Sequence, residues 1–124
     1  MKIRVYYDDT DAGGVVYHAN YLKFCERARS ELFFSKGLSP AINNAHFVVK
    51  HIEADFIRSA KLGDLLEVKH ELVELKNASL KLLQTIWLED VKIFQITSVL
   101  AFVKEGKPLR IDESTKEFMK RTLC

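Results

Sequence analysis

The sequence predicts an α+β domain in which an antiparallel sheet of about five strands wraps around one long helix. One stretch near residue 19 carries apolar residues at helical spacing, and four later stretches are long and rich in β-branched residues. The turns between the last three of these are too short for crossover helices. At 124 residues the chain has the size of one domain, so we expect residues 1–124 to share a single core.

The first elements are a strand, a turn and the helix. Residues 2–8 alternate and are rich in Val and Tyr, which is typical of a strand, and residues 9–14 have the composition of a turn. Asn20 is a suitable N-cap for a helix at about residues 19–36. One apolar face of this helix is formed by Tyr21, Cys25, Ala28 and Leu32. A glycine and a proline just beyond residue 36 end it.

Long β segments make up most of the remaining chain. They are predicted at residues 47–58, 65–76, 80–88 and 93–104. The last three are expected to be antiparallel neighbours, because only a few residues connect them. The tail, residues 114–123, is consistent with a short helix capped by Ser114.

Charge, hydropathy and cysteine content exclude several classes of protein. The 19 basic and 17 acidic side chains give a net charge of +2 without a basic arm, so no nucleic-acid surface is expected. The apolar stretch 96–103 is far shorter than the ~20 residues of a membrane-spanning helix, and the first residues lack the apolar segment of a secretory signal. Cys25 and Cys124 lie far apart, which predicts reduced thiols in a cytoplasmic protein.

Several familiar catalytic and metal-binding motifs are missing. The sequence contains no Gly-x-Ser-x-Gly, no Gly-rich phosphate loop and no His-Glu-x-x-His. Its histidines and cysteines show no metal-ligand spacing, so neither a metal nor a cofactor is predicted. Cys25 falls on the apolar helix face, where a buried structural thiol is expected rather than a nucleophile.

The acidic turn before the helix is the segment best suited to chemistry. Asp8, Asp9 and Asp11 lie within four residues, directly before a pair of glycines and the helix start. One interpretation is a solvated acidic turn. The other is a carboxylate that faces helix N-terminal amides, whose partial positive charge can polarise a carbonyl group. That interpretation predicts attack on an acyl group, with the carboxylate as nucleophile or general base.

The same segment resembles the signature of the 4-hydroxybenzoyl-CoA thioesterase family of hotdog-fold proteins. In this chain it reads Arg4-Val5-x4-Thr10-Asp11-x2-Gly14-Val15-Val16-x-His18-x2-Tyr21. With residues 19–29 included, it is most similar to the YbgC subgroup of bacterial acyl-CoA thioesterases. The predicted element order agrees with a hotdog fold along essentially the whole chain. The resemblance therefore implies an acyl-CoA thioester hydrolase.

Transferred position by position, the resemblance implies that Asp11 is the catalytic carboxylate. It also implies that His18 offers a backbone amide to the thioester carbonyl, while its imidazole either positions the substrate or packs in the core. Tyr7 is a candidate wall of the active site that orients Asp11, or else a strand residue that packs against the helix. Asp8 and Asp9 are expected to be ordinary surface or turn acids.

Candidate substrate-binding residues fall into two groups, one beside the catalytic position and one after a strand. They are Gly14, Val15, Tyr17, Arg58, Ser59 and Lys61. A glycine lets a substrate approach the backbone closely. The resemblance implies that the second group contacts the phosphates of CoA, which suit Arg and Lys, whereas by itself it is an exposed basic turn.

Aromatic and charged residues of the helix have two interpretations each. Tyr17, Tyr21 and Phe24 either line an acyl pocket or belong to the core, and the core is expected for Phe33 and Phe34. The charged run at residues 26–29 is expected on the helix surface or in a subunit contact.

The main functional hypothesis is hydrolysis of acyl-CoA to a free acid and CoA. The alternative is a non-catalytic acyl-CoA-binding or scaffold protein that is associated with the cell envelope or with phospholipid synthesis. A hotdog dehydratase is disfavoured, because its carboxylate would lie on the helix rather than before it. The resemblance further implies a homo-oligomer, a dimer or a homotetramer, with sites across the interface and with envelope or lipid-synthesis proteins as partners. The open edge of a lone sheet is a physical reason to associate.

Overall fold

The computed structural model describes residues 1–41 and 44–123, so the predicted thiol of Cys124 lies outside the described residues. The strands are β1 (Lys2–Arg4), β2 (Ala45–Phe56), β3 (Leu65–Leu75), β4 (Ser79–Leu88), β5 (Val91–Lys104) and β6 (Lys107–Pro108). The helices are α1 (His18–Phe34), α2 (Glu113–Leu123) and a short 3₁₀ helix (Tyr7–Asp9). None of the described helices is long and apolar enough to cross a membrane.

One antiparallel sheet contains all six strands, in the order β1-β3-β4-β5-β2 with β6 added to β5. Alternate side chains of its strands face α1, as the period of a pleated strand requires. The buried face of α1 includes Tyr21, Phe24, Cys25 and Ala28. It packs with inward residues of the sheet such as Phe94 in one core cluster. The predicted α+β hotdog architecture, a sheet around one long helix, is confirmed.

A second core cluster joins the C-terminal end of α1 to α2. Phe33 packs there with Met119 and Leu123, over the inner face of β4 and β5. The prediction that Phe33 is core is therefore confirmed. The same prediction is wrong for Phe34, which is 55% exposed because it follows Phe33 about 100° around the helix, away from this cluster.

The caps of both helices differ from the predicted ones. Helix α1 starts at His18, with Tyr17 rather than Asn20 at the N-cap position. Before α2 the carboxylate of Asp112 accepts the N–H of Thr115 at 2.7 Å and the hydroxyl of Ser114 at 3.0 Å. These hydrogen bonds, that from Thr115 above all, lower the pKa of Asp112. Asp112 therefore caps α2, and Ser114 does not.

A polar cluster lies between α1 and the inner face of the sheet. The side-chain oxygen of Gln84, which is fully buried, accepts a hydrogen bond from Arg29 Nη1 at 3.0 Å. The amide nitrogen of Gln84 donates to the carbonyl oxygen of Cys25 at 2.9 Å and lies 3.2 Å from His70 Nδ1. The prediction that the charged run lies on the helix surface is thus wrong for Arg29, because a polar partner on β4 draws its guanidinium inward.

Candidate active site

The candidate catalytic carboxylate stands on a tight turn. The carbonyl oxygen of Asp11 accepts the N–H of Gly14 at 3.0 Å, and the N–H of Asp11 donates to the carbonyl oxygen of Val15 at 2.9 Å. The Asp11 side chain accepts the N–H of Gly13 at 2.8 Å and is exposed. Gly14 has φ +80°, a conformation that favours glycine, so it closes the turn without strain. The turn therefore presents the Asp11 carboxylate to solvent in a defined orientation.

The start of α1 lies directly after this turn. The N–H of Tyr17 donates to the carbonyl oxygen of Asp9, and the N–H of Asn20 donates to the carbonyl oxygen of Tyr17, both at 2.9 Å. Within the described residues, the N–H groups of His18 and Ala19 have no acceptor. Such first-turn amides carry partial positive charge and suit an anion or a polarised carbonyl oxygen.

Asp9 corrects a prediction about the acidic turn. Asp8 is exposed, as expected of a surface acid, but Asp9 is only 8% exposed. One oxygen of the Asp9 carboxylate accepts the backbone N–H of Tyr6 at 2.9 Å, and the other accepts the side-chain Nδ2 of Asn20 at 3.1 Å. Asp9 is therefore a buried link between the 3₁₀ helix and α1 rather than an ordinary turn acid.

Tyr7 lies in the 3₁₀ helix and not in a strand, because β1 ends at Arg4. Its side chain is 81% exposed, so the alternative that it packs against α1 is wrong. Its carbonyl oxygen accepts the backbone N–H of Thr10 at 3.1 Å and the Thr10 hydroxyl at 2.9 Å. The Tyr7 backbone thus binds Thr10, the residue before Asp11, while the Tyr7 side chain faces solvent.

The basic segment after β2 lies against the catalytic turn. Lys61 pairs with Val15 in an isolated antiparallel bridge, and the carbonyl oxygen of Ala60 accepts the N–H of Val16 at 2.9 Å. The N–H of Ala60 donates to the hydroxyl of Tyr21 on α1 at 3.0 Å. The fold therefore brings the exposed segment of Arg58, Ser59 and Lys61 next to Gly14 and Val15, although more than forty residues separate the two in the chain.

An aromatic group flanks the start of α1. The rings of Tyr17 and His18 have centroids 4.5 Å apart, and the ring of Phe56 lies edge-on to His18 at 6.1 Å. Tyr17 and Phe56 are 48% and 52% exposed, whereas Tyr21 and Phe24 are buried in the core. Sequence reasoning missed Phe56, because the end of a long alternating strand carries no signal that its aromatic side chain meets the helix start.

Cys25 is a structural thiol, as expected. It is fully buried, and burial raises the pKa of its thiol to about 12, which leaves it without a reactive thiolate. Among the described residues no group of three or more His, Cys, Asp or Glu side chains is arranged to hold a metal ion.

Comparison with known proteins shows the family and the fold of the chain. A family model described as the thioesterase superfamily matches residues 13–94, a range that contains the helix start but begins after Asp11. An acyl-CoA thioesterase YbgC from Helicobacter pylori is 47% identical over 130 residues, covering 96% of this chain and 98% of the relative. A probable thioesterase from Bartonella henselae is 35% identical with a TM-score of 0.85, over 90% of this chain and 97% of that chain. A thioesterase from Thermus thermophilus, solved with coenzyme A and Zn, is 26% identical with a TM-score of 0.84, over 98% and 92% respectively. The chain belongs to the thioesterase superfamily.

Proposed function

We propose that this protein hydrolyses acyl-CoA thioesters to a free carboxylic acid and CoA. The observation that carries the proposal is the position of one exposed carboxylate, Asp11, on a turn that leads directly into the unpaired first-turn amides of α1. Family membership and the named activity of the Helicobacter pylori relative support thioester hydrolysis. The coenzyme A in the Thermus thermophilus structure supports CoA as the carrier group.

In the proposed reaction the amides at the start of α1, that of His18 first, donate to the thioester oxygen. Attack at the carbonyl carbon places negative charge on this oxygen, and removing one such donor typically costs about 3–4 kcal/mol of transition-state stabilisation. The Gly14 backbone is free of a side chain, so the acyl group can approach the turn closely.

Asp11 acts in one of two ways. As nucleophile, its oxygen bonds to the carbonyl carbon and the C–S bond breaks, so CoA leaves as a thiolate and water then hydrolyses the anhydride. As general base, Asp11 takes a proton from the water that attacks the same carbon, and the thiolate again leaves and is protonated. Single turnover in ¹⁸O-labelled water tests the first route, because water that attacks the Asp11 carboxyl carbon of the anhydride leaves label in Asp11, whereas direct hydrolysis puts the label only in the released acid.

The remaining site residues bind substrate in this proposal. Arg58, Ser59 and Lys61 face solvent beside the turn, and their charges and hydroxyl suit the phosphates of CoA. Tyr17 and Val15 line the approach to Asp11 together with the half-exposed ring of Phe56. Tyr7 and the imidazole of His18 are proposed to orient Asp11 and the substrate, respectively.

We further propose that the protein is a homo-oligomer, a dimer or tetramer, whose subunits complete each other's sites. Strand β2 forms an edge of the sheet and exposes Val48, Val49 and Ile52. Such an apolar edge favours association with a second copy of the chain. Phe56 beside the start of α1 is about half exposed in the single chain, so a second subunit would be needed to enclose an acyl group there. A monomeric sedimentation profile would contradict this part of the proposal.

Cytoplasmic location and envelope or lipid-synthesis partners stay predictions, testable by fractionation and co-purification.

The test is release of free thiol from acetyl-, butyryl-, octanoyl-, palmitoyl- and benzoyl-CoA by the wild type and by Asp11→Asn. We expect turnover by the wild type and a loss of at least ~100-fold in the variant, about 2.7 kcal/mol of barrier. Asp8→Asn is the matched control, because it neutralises an exposed carboxylate three residues away and should retain wild-type turnover. A folded wild type that releases no thiol would refute the proposed activity, and equal turnover by Asp11→Asn would refute the role of Asp11.

A further inference from the structure

We infer, on the basis of the proposed function, that Asp9 is a positioning residue for the hydrolysis. Through its contact with Asn20 it sets the separation between the Asp11 carboxylate and the amides at the start of α1. The reaction needs these two groups on one acyl carbon at the same time, and a misplacement of about 1 Å can cost ~100-fold in rate.

Asp9 holds α1 at two points, one on each side of His18. Its carbonyl oxygen accepts the N–H of Tyr17, the residue before His18, at 2.9 Å. Its carboxylate accepts the side chain of Asn20, two residues after His18, at 3.1 Å. The amide that is proposed to bind the thioester oxygen therefore lies between two attachments to a single residue.

Asp9 is also close to Asp11 along the chain. Two residues of backbone span at most about 7 Å, so a residue fixed at position 9 restricts where the carboxylate at position 11 can stand. The second carboxylate oxygen of Asp9 accepts the N–H of Tyr6, which fixes the other end of the 3₁₀ helix. The catalytic turn is thus tied to α1 by side-chain contacts as well as by chain connection.

The buried environment of this carboxylate shows that the contact is specific. A buried charge is costly unless hydrogen bonds satisfy it, and here each oxygen has a donor. The charge also lies at the N-terminal end of α1, where the helix dipole favours an anion. An acid with only a surface role needs neither the burial nor the two donors.

The test exchanges the two partners. Asn20→Asp places two carboxylates at about the observed contact distance of 3.1 Å, where they repel each other. In Asp9→Asn/Asn20→Asp, the new amide at position 9 still accepts the Tyr6 N–H with its oxygen. Its NH₂ group donates to the new carboxylate at position 20. The double variant therefore keeps both hydrogen bonds and moves the charge onto the helix.

We expect kcat for acyl-CoA to fall by at least ~30-fold in Asn20→Asp and to return to within ~3-fold of the wild type in the double variant. All rates are compared at a temperature where circular dichroism shows each variant fully folded, and Asp8→Asn again serves as the control. Should Asn20→Asp not fold, Asn20→Ala removes the donor without adding charge and is expected to lose ~10-fold in kcat.

Three results distinguish failure of the proposed function from failure of the proposed role of Asp9. A wild type without thiol release overturns the proposed function itself. An active wild type with an equally active Asn20→Asp, or with an equally active Asn20→Ala, overturns only the role of Asp9. A double variant that is folded but as slow as Asn20→Asp also overturns it, because the restored hydrogen bonds would then have no effect on the reaction.

Discussion

Replacing Gln84 by leucine measures how much the polar cluster beneath α1 stabilises the fold. Gln84 is fully buried on β4, and leucine has a similar size, so Gln84→Leu removes polar contacts without opening a large cavity. Among the described residues, the hydrogen-bond acceptor of Arg29 is the neutral side chain of Gln84, and the Glu26 carboxylate acts on the Arg29 charge without a hydrogen bond. Burial lowers the pKa of Arg29, which shows that the guanidinium is kept charged at a cost.

The magnitude follows from three contacts. The hydrogen bond from Arg29 to Gln84, at 3.0 Å, involves a charged donor and is worth about 1.5–3 kcal/mol. The contacts with the Cys25 carbonyl and with His70, at 2.9 and 3.2 Å, are worth about 1 kcal/mol each. Leucine recovers part of this because it is cheaper to bury, so we expect Gln84→Leu to lower the free energy of unfolding by about 3 kcal/mol. Typical domains have only about 5–15 kcal/mol in total.

Urea unfolding of wild type and variant at neutral pH gives this difference from the midpoints and slopes. The matched control is Gln95→Leu on β5, where the glutamine is half-buried and, within the part of the chain that the structure describes, accepts only from Lys92 at 2.8 Å; there we expect a change within about 0.5 kcal/mol. If Gln84→Leu is destabilised by less than about 1 kcal/mol, the cluster is not a significant source of stability and the reasoning fails.

Three further predictions concern the cluster and the catalytic turn. Burial above all lowers the pKa of His70 to about 4, so the imidazole of His70 binds a proton less readily in the folded protein than in the unfolded chain. Its contribution to stability is therefore full above about pH 6.5 and is lost as the pH falls towards 4, and an NMR midpoint near 6.5 would contradict this. In Gly13→Ala the new Cβ would lie 3.2 Å from Asp11 Oδ1, so we expect a several-fold lower kcat with little loss of stability. Gly14→Ala meets no atom within 4 Å but has φ +80°, so it should lower stability by about 1 kcal/mol in addition to hindering the acyl group, and a Gly14→Ala protein as stable as the wild type in thermal unfolding would refute the strain argument.

The sequence predicted the fold well where the signal is local. The apolar spacing and the glycine beyond it placed α1 within two residues at each end, because helix periodicity depends on near neighbours. The first strand was predicted four residues too long, to residue 8 instead of Arg4. There the alternation of Val and Tyr is genuine. The ladder ends at Arg4 because its partner strand β3 begins opposite it at Leu65, and beyond Val5 the N–H of Tyr6 donates to the Asp9 carboxylate instead, neither of which alternation reveals.

The site was predicted only in part, because sequence order reveals which residues are neighbours along the chain but not which distant segments meet. The turn of Asp11 and the start of α1 are close in the chain, so their neighbourhood follows from sequence order. The approach of Lys61 to Val15 depends on the course of β2 and the loop after it, and it was not predicted; the family resemblance implied only that this basic segment contacts CoA. The inward position of Arg29 was not predictable, because its partner Gln84 lies on a strand more than fifty residues away.

Three aspartates in one short segment show why composition alone does not assign roles. A 3₁₀ helix has about three residues per turn, so successive side chains point about 120° apart. Asp8 therefore faces solvent while Asp9 faces α1. Asp11 lies beyond the 3₁₀ helix, in the turn that follows, with its carboxylate exposed. The same residue type thus supplies a surface charge, a buried link and a candidate catalyst within four positions. Replacing them by alanine one at a time should have three different effects: none, a loss of positioning and a loss of chemistry.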